Sequence, residues 1–109
     1  MGSPSEYEAA YFTLLRAREE LSDLLRYDDL LTRERERLTG VAQDTTAFAD
    51  ALPTSLRRPT ATTTKPLLEA LGRRREVLEQ ERDRMPDRIE QAQAFVEACE
   101  QEVAQLRAG

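Results

Sequence analysis

Apolar residues recur along the chain at alternating spacings of three and four. Tyr7, Leu14 and Leu21 form one row, and Ala10, Ala17, Leu24, Leu31 and Leu38 form a second, with neighbours in each row seven apart. That is a heptad seam, with the first row at position a and the second at d. It continues through Ala42, Thr45, Ala49 and Leu52, with Val41 and Phe48 beside it. Pro53 disfavours helix at Leu52 and ends the run. At the other end Ser3 can cap, Pro4 suits the first helical position, and Glu6 can close a capping box. The pattern predicts a helix over about 4–51, about 70 Å long at about 1.5 Å per residue. Gly40 is the one interruption. Glycine is a common helix stop, so a break there, with a short helix over 44–51, competes with the unbroken form.

The segment PTSLRRPTATTTKP, residues 53–66, has three prolines and five threonines and predicts a solvated loop. Pro66 then sits at the first position of a second helix, over about 66–107. Its periodicity is the cleanest in the chain. Leu71, Leu78, Met85, Ala92, Cys99 and Leu106 are each seven apart, and Leu68, Ile89, Val96 and Val103 share the other row. Pro86 removes a hydrogen bond mid-helix and predicts a kink. The heptad phase survives across it, so no reversal is expected.

Two amphipathic helices and one connection predict a single all-α domain over 1–109, a long antiparallel helical hairpin resembling a coiled coil. Such a hairpin buries little by itself. Tyr11, Phe12, Leu15, Leu25 and Leu30 lie off the main seam of the first helix, as do Leu67 and Phe95 on the second. That excess of apolar surface marks Tyr11, Phe12, Leu15, Leu25, Leu30 and Phe95 as interface candidates. A homodimer forming a four-helix bundle would cover them.

The seam also carries charge. Asp28 and Arg35 occupy a positions in the first helix, and Arg75 and Arg82 interrupt the leucine row of the second. Polar seam residues commonly set register and partner at a cost in stability. Each is expected to find an opposite charge or to reach solvent. If the chain turns near Pro53, paired positions sum to about 120, and Arg75 falls near Thr45 and Asp44. If it turns near Gly40, they sum to about 106, and Asp28 falls between Arg75 and Arg82. The second register pairs the charges better and makes Asp28 the expected partner of Arg75 or Arg82. One acid cannot serve three arginines, so the others must reach flanking acids.

Composition narrows the function. Charged residues make up 34% and aromatics 6% of the 109 residues, which suits long helices better than a compact globule. The net charge of −5 opposes a nucleic-acid role. All the basic residues but Lys65 are arginine, a hint of a GC-rich, bacterial source. There is no histidine, which removes His-dependent nucleophilic triads and His-based metal sites. The four glycines are scattered, so no phosphate-binding loop exists. Helical nucleotide pyrophosphatases hold magnesium with Glu-x-x-Glu followed by Glu-x-x-Asp. Here Glu20-x-x-Asp23 precedes Glu76-x-x-Glu79 and Glu97-x-x-Glu100, so the order fails. The lone Cys99 sits at a d position and is expected to be a buried thiol.

No apolar run approaches twenty residues, so no membrane span is expected. MGSPSEYE lacks the parts of a signal peptide, so a cytoplasmic location is expected. Size and shape are similar to small type VII secretion substrates, but with no tryptophan the chain lacks their Trp-x-Gly turn, and no family is assigned. The pattern therefore predicts a non-enzymatic protein-interaction module, an adaptor, regulator or small assembly subunit, with no cofactor. The alternative is an effector-sensing regulator that binds an anionic ligand or nucleotide through the seam arginines.

Overall fold

A computed structural model describes residues 3–109. They form two helices, α1 over Pro4–Ala51 and α2 over Thr54–Ala108, joined at Leu52 and Pro53. The fold is an antiparallel helical hairpin. Helix α1 opens with the capping box: the Glu6 amide donates to Ser3 Oγ at 3.1 Å, and the Ser3 amide donates to Glu6 Oε2 at 3.3 Å. Gly40 lies inside α1 with no positive φ, so the break expected there does not form. Regular helix runs on both sides of it, over Pro4–Ala51 and on one heptad, and that continuity outweighs one glycine's modest helix penalty.

The loop expected over 53–66 is the main correction. Helix α2 begins at Thr54 and runs unbroken through Pro59, Pro66 and Pro86. Two features make this tolerable. Pro59 and Pro66 are seven apart on the outward side of α2, where both are exposed, so the carbonyls they leave without donors face water. Thr60 and Thr64, on the inward side, are half-buried. Thr62 Oγ1 donates to the Pro59 carbonyl at 2.7 Å, and Thr64 Oγ1 to that of Thr60 at 3.3 Å. The inward turn of Thr60 and Thr64 helps the helix continue against poor local propensity, since most helical stability in proteins comes from tertiary contact.

The hairpin comprises two compact units. The first contains Met1–Asp29 and Arg84–Gly109, the second Leu30–Asp83. The first unit's core is Ala10, Leu14 and Ala17 of α1 against Val96, Cys99 and Val103 of α2, with Tyr7, Leu21 and Leu106 packed on it. Cys99 is a buried free thiol within it. The second unit buries Leu31, Leu38 and Leu78. Every buried residue occupies an a or d position of the heptads read from the sequence. Among the described residues no helix is long and apolar enough to cross a membrane.

Candidate functional site

The pairing of charges follows from the register. In the first unit Arg107 donates to Tyr7 Oη at 2.8 Å, and its guanidinium lies 5.8 Å from the centre of the Tyr7 ring. Hydrogen bonding to Tyr7, reinforced by charge, raises the Arg107 pKa further. In the second unit Arg35 Nε forms an ion pair with Glu79. Within each unit these pairs sum to 114, between the two expected registers. The turn lies at Leu52 and Pro53, as the first register requires, but with helix starting at once on its far side the strands of the seam slide by several residues.

Glu79 therefore has two arginines. Arg82 Nη1 reaches the same oxygen at 3.3 Å, one turn along α2. The Gly40 turn that would set Asp28 between Arg75 and Arg82 does not form, and Arg82 bonds the flanking Glu79. Asp28 belongs to the first unit and is half-buried. Arg75 is the third seam arginine. It is half-buried, has no ion pair among the described residues, and lines an open groove with Thr39, Gln43, Thr46 and Asp50. Elsewhere in this unit Arg37 clamps Glu34 with two hydrogen bonds, at 2.9 and 2.6 Å. That bonding holds the Glu34 carboxyl below its ordinary range; loss of hydration opposes it, and the charges of Arg37 and Arg74 add to it.

The six interface candidates are all exposed: Tyr11, Phe12, Leu15, Leu25, Leu30 and Phe95. Tyr11 stacks on Tyr7 with ring centres 6.2 Å apart, and Phe12 meets Tyr11 edge-on. Five of the six lie in the first unit, where they occupy heptad positions b, e, f and g and so point in several directions. Leu67, which the sequence places off the seam, and Leu30 belong to a more coherent set. Phe48, Leu56 and Val77 are also exposed, and all five lie in the second unit. All five occupy c or g positions, a signal present in the heptad assignment once the loop over 53–66 is recognised as helix. Among the described residues no group of three or more metal-ligating side chains comes together. No family model, curated protein or solved structure matches the chain.

Proposed function

We propose that this protein is a non-enzymatic interaction module that presents its helix faces to a protein partner, with a second copy of itself as the first such partner. The observation that carries this reading is the exposure of large apolar side chains on a highly charged hairpin. Phe12 is 65% exposed, Leu30 60%, Phe48 58% and Val77 54%. Apolar surface on this scale is costly to leave in water and marks protein-binding faces. The chemistry of the remaining surface supports the same reading, because carboxylates and arginines satisfy one another along the helices.

Arg75 favours a second reading, an anionic ligand held in the groove with Thr39 and Gln43. Guanidinium geometry suits a phosphate or carboxylate. Glu36 and Asp50 line the same region and oppose an anion there. A thermal-shift screen against inorganic phosphate, nucleotides and divalent metals separates the two, since a ligand that binds only the folded state raises its apparent stability. The interaction reading expects no shift. A rise of several degrees that disappears in Arg75→Ala would overturn it in favour of the anion sensor.

A further inference from the structure

The second unit has two broad sides, each spanning both helices. In an antiparallel pair the g positions of α1 and α2 lie along one side and the e positions along the other. Thr39, Gln43, Thr46 and Asp50, at e and b of α1, share one groove with Arg75 of α2, which marks the e side. The g side, with the adjoining c positions, carries every large exposed apolar residue of the unit: Leu30, Phe48, Leu56, Leu67 and Val77. The opposite side, at e and b, has no apolar residue. It presents threonines, Gln43 and Gly72 among six acids and two bases.

Charge separates the sides and the units in the same sense. The first unit has 12 acids and 6 bases, the second 9 acids and 10 bases, for formal charges of −6 and +1. Within the second unit the apolar side carries Glu34, Asp44 and Glu81 against Arg37 and Arg74, close to balance. Two copies of this side can therefore approach without like-charge repulsion, and the interspersed signs can pair across a two-fold axis. The −6 unit would repel its own copy, and so would the acid-rich e and b side. Size agrees. From Leu30 to Ala51 the α1 part of the side is about 33 Å long, and two helices abreast are about 20 Å wide. The projected area of about 650 Å² is near the roughly 800 Å² per partner of stable interfaces.

We infer that a second copy of the chain docks on the c and g side of the second unit, making that part of the assembly a four-helix bundle. This rests on the interaction reading above and names the face that performs it. Phe48 and Leu67 sit at its centre, with Leu30, Leu56 and Val77 around them.

Sedimentation velocity on the full chain over a range of concentrations tests the inference. The wild type is expected to dimerise. Phe48→Ser combined with Leu67→Ser should weaken the dimer at least tenfold, as removal of central apolar anchors does. Phe12→Ser combined with Leu15→Ser, on the first unit, should leave the dimer constant within about threefold. Circular dichroism should find the helix content of both variants unchanged, since all four side chains are exposed. If the Phe48/Leu67 variant unfolds, Val77→Glu provides the same test by placing a like charge on both copies. A dimer unaffected by Phe48→Ser/Leu67→Ser and by Val77→Glu overturns the assigned face and leaves self-association standing. A monomer at every concentration overturns self-association itself.

Discussion

Arg57 Nε donates to the carbonyl of Leu52 at 3.0 Å, across the turn between the helices. Its Nη2 reaches the Asp50 carbonyl at 3.3 Å. Helix α1 has no basic residue in its own last turn, so its terminal carbonyls and the negative end of its dipole are met by a cation from the start of α2. The turn is thereby closed by a side chain in a segment that reads locally as loop. Arg57→Ala should destabilise the protein by about 1 kcal/mol in urea unfolding. Arg58→Ala, one residue on, should change stability by no more than about 0.5 kcal/mol. Equal losses from the two would remove the cap from the account.

Gly40 and Gly72 lie within helices, and a Cβ added at either meets nothing within 4 Å. Neither has a positive φ. Glycine at such positions serves no turn and costs backbone entropy. Gly40→Ala and Gly72→Ala should each stabilise the fold by about 0.5–1 kcal/mol, raising the midpoint of thermal unfolding. A loss of stability in Gly40→Ala would mean that α1 does break there.

The joint hold of Glu79 on Arg35 and Arg82 predicts non-additive mutations. All three side chains are 28–46% exposed, so water and salt screen them, and the coupling should be below about 1 kcal/mol. Arg35→Glu and Glu79→Arg should each destabilise, and together recover part of the loss in a double-mutant cycle. The recovery should shrink in 0.5 M salt, an ionic strength chosen to be well above about 0.1 M, where screening already acts over about 10 Å.

Glu34 gives the fold a small acid sensitivity. Its folded pKa lies below the ordinary 4.5 because Arg37 hydrogen-bonds the ionised form. The resulting stabilisation is complete above the ordinary value and is lost as pH falls through the folded value. NMR titration should find Glu34 titrating below the ordinary glutamate range. Arg37→Ala should return it to the ordinary range, and an unchanged titration in that variant would exclude the clamp as the cause.

Much of this architecture is a property of the sequence alone. The seven-residue period of Ala17, Leu31 and Leu38, and of Leu78, Met85 and Cys99, specifies which stripe of each helix turns inward, because helical geometry repeats every few residues whatever the chain packs against. The Ser3–Glu6 cap is equally local. Tertiary structure decided three things that local reading could not. Residues 54–66 are helix despite two interior prolines, because Thr60 and Thr64 turn inward while Pro59 and Pro66 face water. Glu79 is the acid that Arg35 and Arg82 share, because ion pairs between helices depend on register, and register depends on where the chain turns. Leu30, Phe48, Leu56, Leu67 and Val77 form one side, because a shared side exists only once two helices lie together in that register.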